Sequence, residues 1–551
     1  MKEIWLSHYP AGVPAQINPQ QYHSLVDLLE KSCAKHAHLT AYTNMGSTLS
    51  YAEVNTLSLA FAVYLQTLGL ERGARIALMM PNVLQYPVAL FAILRAGYVV
   101  VNTNPLYTPS EFIHQMNDAG AEAIIVLDNF AHIVAESLVQ LPALKHVIVT
   151  KIGDLFPPIK RHMVNFVVKY IKHIIPSYHL DHAIPFLQAL KQGQHGRLNP
   201  ISCQGDDIAF LQYTGGTTGV AKGAMLTHTN MVANVLQATH WLTPLKIGSD
   251  DIIVTALPLY HIFSLTANCL VFFAAGAKNI LITNPRDMSE FIRQIKNTGF
   301  TSITGVNTLF RAMLNHPQFQ SIDFSRLKLA LSGGMALQKN IALQWHERTK
   351  APILEAYGLT ETSPAVTINP VNLTEYNGSI GLPLPSTEIS IRNAQGEELA
   401  QGEAGELCIR GPQVMRGYWH APAETDNVFW PDGFLRTGDQ VTMDENGFIF
   451  IVDRLKDLIL VSGFNVYPTE IEHVISQIPG VVEVGVIGVN PKGTGEVVKA
   501  CVVSSNPDLT AEDIIQYARA RLTAYKVPKI VEFYTELPKS NIGKILRRAL
   551  K

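Results

Sequence analysis

The sequence is poor in what a disulfide scaffold or zinc module needs. Its five cysteines, Cys33, Cys203, Cys269, Cys408 and Cys501, are scattered, odd in number and never spaced as C-x-x-C. That excludes a disulfide framework and a structural zinc site as organising devices, and it fits a reducing cytoplasm. Net charge is lacking too: 43 Lys+Arg against 45 Asp+Glu leave −2. A general polyanion binder needs a basic surplus, so no nucleic-acid partner is expected. Charged residues are scarce, 16% against 47% hydrophobic, which excludes a disordered chain and implies a large packed core. The opening Met1-Lys2-Glu3-Ile4-Trp5 has no apolar run of the signal-peptide kind. The longest stretch without formal charge, 252–277, is long enough to span a bilayer, but Pro258, His261, Ser264, Asn268 and Gly276 interrupt it. A strand and a helix joined by a loop is the better reading, and the chain is expected to be soluble or peripheral.

At 551 residues the chain exceeds one ordinary domain of about 100–200 residues. Its first part alternates helical stretches (57–68, 88–94) with apolar strands at 75–80, 98–101, 123–127, 252–255 and 279–282. That rhythm predicts an α/β class with helix-covered sheets. After about Ile380, short strands at 389–392, 406–410 and 448–451 lie between Gly-rich turns, which suggests a β-rich lobe such as a distorted barrel. The last hundred residues, with strands at 483–489 and 497–503 and a helix at 511–522, read as a compact α+β module. Asp453-Arg454-Leu455-Lys456-Asp457 is a charged strip between apolar strands, a composition that fits a solvated linker.

The chemistry is concentrated in a loop. Tyr213-Thr214-Gly215-Gly216-Thr217-Thr218-Gly219-Val220-Ala221-Lys222-Gly223 follows the strand 208–211. Gly215, Gly216 and Gly219 let backbone N–H groups turn toward an anion, the threonines add hydroxyl donors, and Lys222 adds a full charge. The combination suits a polyphosphate. No Ser or Thr follows the lysine, so it is not the loop of an ordinary P-loop NTPase. A flexible Gly/Thr turn is the plainer reading, but it leaves the coincidence of donors and cation unexplained.

This loop closely resembles the signature of the adenylate-forming enzymes: acyl-CoA ligases, luciferases and the adenylation domains of peptide synthetases. Further segments carry the resemblance over nearly the whole chain. Tyr357-Gly358-Leu359-Thr360-Glu361-Thr362 looks like the second signature; Tyr357 offers a face to adenine, Thr360 a hydroxyl, and Glu361 is a hard oxygen ligand suited to Mg²⁺ on a triphosphate, with Thr214 beside it. Ser332-Gly333-Gly334-Met335, after a strand, lets a flat ligand approach the backbone. Asp439, in Arg436-Thr437-Gly438-Asp439, can accept from both ribose hydroxyls. By resemblance Arg454 reaches the nucleotide, Lys456 is the hinge, and Gly463 lies on the face used with CoA. His261, in Leu257-Pro258-Leu259-Tyr260-His261-Ile262-Phe263, resembles the wall of the acyl site. Some long-chain members carry a Trp gate four residues after that His; Leu265 stands here, which argues against such a gate. Lys544, after Gly543 in the closing segment 538–548, resembles the catalytic lysine that holds a carboxylate against the α-phosphate.

The resemblance implies a large N-terminal domain over 1–452, a hinge over 453–457 and a small mobile domain over 458–551. It implies a ligase using ATP, CoA and Mg²⁺, with Lys544, Glu361 and Lys222 catalytic. The hinge run, Val461 to Pro468 and the tail look very like bacterial long-chain fatty acid–CoA ligases. A ligase for a medium-chain, aryl or other acid, and a non-catalytic nucleotide- or acyl-binding protein on the same fold, stay open alternatives. Finally, Arg161, Lys169, Lys172 and His173 fall at near-helical spacing among apolar residues from 161 to 175, ahead of Pro176. Periodicity alone favours a surface helix packed on the core with a solvated cationic stripe. A lipid substrate would favour peripheral membrane contact through Arg161–Ile175 instead. A homodimer is compatible with the sequence.

Overall fold

The structure, a computed structural model, describes residues 3–550 except 215–220, 455–456, 462–463, 492–495 and 541–542. A seven-stranded sheet runs in the order Ile184–Pro185, His146–Thr150, Ala123–Leu127, Arg75–Met79, Val99–Asn102, Ile208–Tyr213, Gly223–Thr227. All its pairings are parallel but the last. Such strands are covered on both faces, which is why Ala123–Leu127 is wholly buried and reads as a continuous apolar run. A nine-stranded sheet has a parallel centre, from Ile353–Gly358 through Leu329–Gly333, Ser302–Gly305, Ile252–Thr255 and Lys278–Leu281 to Thr40–Asn44. Antiparallel strands close both of its edges.

One apolar core joins these layers, and the helix Gln85–Arg95 is buried along its whole length within it. The helix His228–Trp241 starts at a capping box, where Thr227 Oγ1 accepts from Asn230 N–H and the Asn230 side chain accepts from Thr227 N–H. That cap makes the chain turn at once from the strand Gly223–Thr227 into a helix that runs under the site.

The uncharged stretch 252–277 divides as expected, into the strand Ile252–Thr255 and a helical run from Ile262 to Ala274 whose middle, Leu265–Val271, is a π-helix. Among the described residues no helix is long and apolar enough to cross a membrane. The β-rich lobe is an open four-stranded antiparallel sheet, Glu388–Arg392, Gly405–Arg410, Leu435–Met443 and Ile449–Arg454, not the barrel expected. Among the described residues its outer strands, Glu388–Arg392 and Ile449–Arg454, do not pair with each other. The small C-terminal domain has its own apolar clusters, between the antiparallel strands Val481–Val489 and Val497–Ser504, the helices Pro468–Ile475 and Ala511–Arg519, and the tail.

Two expectations change. Asp453 is no part of a solvated strip: it is 1% exposed, accepts from Thr469 N–H at 2.9 Å and faces Arg547 at 3.7 Å. A helix N-terminus and a guanidinium offset the cost of burying its charge. The basic segment forms the helix Pro158–Phe166 and a π-helical turn Val167–Ile171. Val164 and Val168 reach the core, whereas Met163, Phe166, Tyr170, Ile171 and Ile174 are exposed together with Lys169 and Lys172.

Glu355 lies in the strand Ile353–Gly358, next to the turn after Gly333, and accepts from Leu337 N–H at 3.0 Å. Burial pushes its carboxyl pKa up to about 8. The folded chain therefore holds a proton that the unfolded chain has released above its ordinary carboxyl pKa, and stability falls as pH rises toward about 8. Glu355→Gln should leave Tm nearly unchanged at about pH 4 and raise it at about pH 9; equal effects at both would contradict a protonated carboxyl.

Candidate active site

A cavity of about 1230 Å³ opens at the carboxyl ends of strands from both sheets. The strand Ile208–Tyr213 delivers Tyr213 and Thr214 to it, Leu329–Gly333 delivers Gly333 and Gly334, and Ile353–Gly358 delivers Tyr357, Gly358, Thr360 and Glu361. Gly358 is required by space: a Cβ there would fall 1.9 Å from Pro364 O, so a side chain would force the 357–362 turn open. The base of the Gly/Thr loop is closed by Thr214 N–H donating to Lys222 O at 2.9 Å and by pairing of Tyr213 with Gly223.

The polar end is held by contacts among side chains far apart in sequence. Lys222 pairs with Glu424. The Tyr418 hydroxyl donates to Glu361 Oε1 at 2.6 Å, and burial together with that carboxylate holds the phenol far above its usual pKa. The Tyr213 hydroxyl donates to Asp118 Oδ2 at 2.5 Å, while the Trp419 indole N–H donates to Asp118 O. Tyr357 donates to Asp439 Oδ2 at 2.6 Å. Asp439 is 2% exposed and stands behind the cavity wall, which Arg436, Thr437 and Gly438 form.

From this end an apolar arm runs inward between Ala238 and Leu242, at the end of the helix His228–Trp241, and Ala267, Val271 and Phe272 opposite, with Leu331 and Ile368 beside them. Leu265 is buried and is not among the lining residues. His261 sits where the polar end meets the arm, and its Nδ1 accepts from Phe263 N–H. The remaining surface of the imidazole faces the cavity, and desolvation pushes its pKa down to about 4, so it is neutral at pH 7.

The small domain completes the wall with Ser540, Lys544 and Leu546. Lys544 stands on a tight turn: its N–H donates to Ser540 Oγ, its carbonyl accepts from Ser540 N–H, and Gly543 N–H donates to Ser540 O. Gly543 has φ +81°, and a Cβ there would fall 2.5 Å from Thr308 Oγ1 of the large domain, so glycine is needed twice over.

Of the residues singled out in the sequence, Tyr213, Thr214, Lys222, His261, Gly333, Gly334, Tyr357, Gly358, Thr360, Glu361 and Lys544 line this one cavity. Arg454 ends a strand opposite Asp439. Its side chain, Gly215, Gly216, Thr217, Thr218, Gly219, Lys456 and Gly463 lie outside the described residues. Sequence reasoning missed Asp118, Tyr418, Trp419, Glu424 and Ser540; Gly417-Tyr418-Trp419 carries no local sign that it meets Glu361. Among the described residues no three His, Cys, Asp or Glu side chains form a metal cluster. Glu361 and Thr214 therefore fit only a cation that takes most of its oxygen ligands from a bound phosphate chain and water, the habit of Mg²⁺.

A cavity lined by both domains, with Thr214, Lys222, Glu361 and Lys544 among its polar residues and Ala238, Leu242, Ala267 and Val271 among its apolar ones, is the architecture of an adenylate-forming ligase. The chain belongs to the AMP-binding enzyme family: residues 29–419 match that family, and residues 470–544 match the AMP-binding enzyme C-terminal domain. It is 54% identical to a long-chain-fatty-acid–CoA ligase of Escherichia coli O157:H7, over all of this chain and 98% of the relative. Among solved structures, ATP-bound MatB from Rhodopseudomonas palustris is similar at TM-score 0.81 and 28% identity, over 95% of this chain and 98% of that one. The fold is also that of the anthranilate CoA ligase AuaEII, at TM-score 0.85 and 24% identity, over 97% and 98% of the two chains.

Tyr357→Phe removes a buried hydroxyl bonded to a carboxylate. A loss of about 1.5–3 kcal/mol is expected, the range for hydrogen bonds to charged groups, together with weaker nucleotide binding. Thermal melting and nucleotide titration check it; unchanged Tm would contradict the assignment.

Proposed function

We propose that this protein is a long-chain fatty acid–CoA ligase that works through an acyl-AMP intermediate. The observation that carries the reading is one continuous cavity with a phosphate-suited end, an apolar arm and a lysine supplied by the second domain. The 54% identity to a long-chain ligase supports the substrate class. In the first step a carboxylate oxygen attacks the α-phosphorus of ATP and the bond to pyrophosphate breaks. Lys222 offsets charge on the phosphate chain, and Lys544 holds the carboxylate against the α-phosphate; positioning and electrostatics suffice without a covalent protein nucleophile. Mg²⁺, when bound with the nucleotide, would supply further charge neutralisation, with Glu361 and Thr214 as its protein ligands. By the resemblance Asp439, behind the wall formed by Arg436, Thr437 and Gly438, would take the ribose hydroxyls when the nucleotide is bound, and Arg454 would reach the nucleotide. His261, neutral, adds no charge beside the reacting carbonyl and serves as a wall.

In the second step the CoA sulfur attacks the acyl carbonyl, the thiol proton is lost and AMP leaves. The small domain, 458–551, would turn on the hinge 453–457 at Lys456 to present Gly463, leaving 1–452 in place. The test is AMP release with ATP, Mg²⁺ and palmitate, with and without CoA, beside octanoate, acetate and an aryl acid. CoA-dependent turnover fastest on palmitate is expected, and Lys544→Ala should abolish acyl-AMP formation while sparing thioester formation from supplied acyl-AMP. Turnover on only the shorter or aryl acids would discard the long-chain reading; binding without turnover would favour a non-catalytic protein.

The exposed apolar side chains of 163–174, with Lys169 and Lys172 among them, suit an anionic lipid surface from which such an acid is drawn. Co-sedimentation with anionic vesicles should fall with Lys169→Glu/Lys172→Glu and with added salt; unchanged binding would sink the membrane role.

A further inference from the structure

Lys544 reaches the cavity only while the small domain is docked, so the contacts that dock it belong to the reaction. The helix Asn307–Asn315 of the large domain makes them from one face. Thr308 receives Gly543, the residue before Lys544. One turn further on, Arg311 donates to the Val482 carbonyl and to Glu483 Oε1 of the small domain. The other Glu483 oxygen lies 2.9 Å from Lys539 Nζ. Lys539 opens the turn that carries Lys544, and it is bridged to Ile545 on the far side of that turn. Glu483 thus takes one cation from each domain. Its side chain is 8% exposed, and those of Arg311 and Lys539 are 18% and 21%, so the pair is poorly screened by solvent.

We propose that Arg311–Glu483–Lys539 is a docking latch whose positioning residues, Arg311 and Glu483, set Lys544 in the cavity for acyl-AMP formation and are not needed for thioester formation. The inference rests on the two-step reading above. A guanidinium suits this place because its fork serves a carbonyl and a carboxylate at once, which an ammonium does less well. Glu483 also keeps Lys539, and with it one arm of the turn, against the strand Val481–Val489. Loss of Arg311 leaves Glu483 paired within the small domain, so that domain should keep its own fold while docking weakens.

The experiment measures both half-reactions on wild type, Arg311→Met, Arg311→Lys and Glu483→Gln: palmitate-dependent exchange of pyrophosphate into ATP, and thioester formation from supplied palmitoyl-AMP and CoA. Arg311→Met should slow exchange roughly tenfold, the order expected for losing a partly buried charge pair, with thioester formation within about twofold of wild type. Arg311→Lys should recover part of the exchange, and Glu483→Gln should resemble Arg311→Met. Wild-type exchange should fall with added salt more steeply than that of Arg311→Met. Equal loss in both half-reactions, or no loss in exchange, would overturn the latch. If wild type shows no palmitate-dependent exchange, the functional reading fails instead. Tm of each variant separates a misfolded protein from an undocked one; should Arg311→Met melt early, Arg311→Lys carries the test, and an unaltered ratio of the two rates in it at raised salt overturns the latch.

Discussion

A parallel ladder admits no hairpin, and that constraint governs the rest of this molecule. Each parallel strand must be fed by a crossover, so helices cover both faces and the loops after the strands collect along one edge. Here two largely parallel sheets share one core, and the edge of each faces the same cavity. Tyr213, Gly333 and Gly358 are last residues of strands: after Gly333 the chain crosses over to a parallel neighbour, after Tyr213 and Gly358 it returns as an antiparallel one, and all three strand ends line the cavity.

The two ends of the cavity then follow from what the crossovers bury. The helix His228–Trp241 packs against the π-helical run Leu265–Val271, and between them lie small or apolar side chains, with Ala238 and Ala267 leaving the width. Ala267 and Val271, four residues apart, share one helix face and both line the arm. At the polar end Lys222 is paired with Glu424, and Glu361 accepts from Tyr418. The Lys222–Glu424 pair is half exposed and therefore weak, so a phosphate chain can displace the carboxylate at small cost.

The strands and the main loops were readable from the chain because buried parallel strands are plain apolar runs: Ala123–Leu127 and Ile252–Thr255 have the bounds that their residues suggest. The signature segments are contiguous in the chain, and eleven of the residues they and the segment around His261 single out line one cavity. What was not readable is pairing across the chain. Nothing near Tyr418 points to Glu361, 57 residues earlier in the chain, and nothing near Asp118 points to Tyr213 or Trp419. The apolar surface of 158–174 also defeated periodicity, because its helix changes to a π-helical turn and puts apolar side chains on more than one face. Composition misled at Asp453, since a charged strip reads as solvated whether or not its partners are supplied from elsewhere.

Those partners link residues 453–457 to the turn that carries Lys544. Arg547, three residues after Lys544, binds Asp457 and Glu472 at 2.8 Å each and stands 3.7 Å from Asp453. Asp453 belongs to the last strand of the large domain's antiparallel sheet, whereas Thr469 and Arg547 belong to the small domain. A rotation that carries the helix Pro468–Ile475 away from that strand would remove both groups from a carboxylate that is 1% exposed while they are in place. Losing those two partners is costly unless water replaces them. Docking is therefore favoured at two places, by Glu483 beside the turn and by Asp453 beside the hinge. A rotation of the small domain would have to break both, which favours movement as a unit over Lys544 leaving the cavity alone.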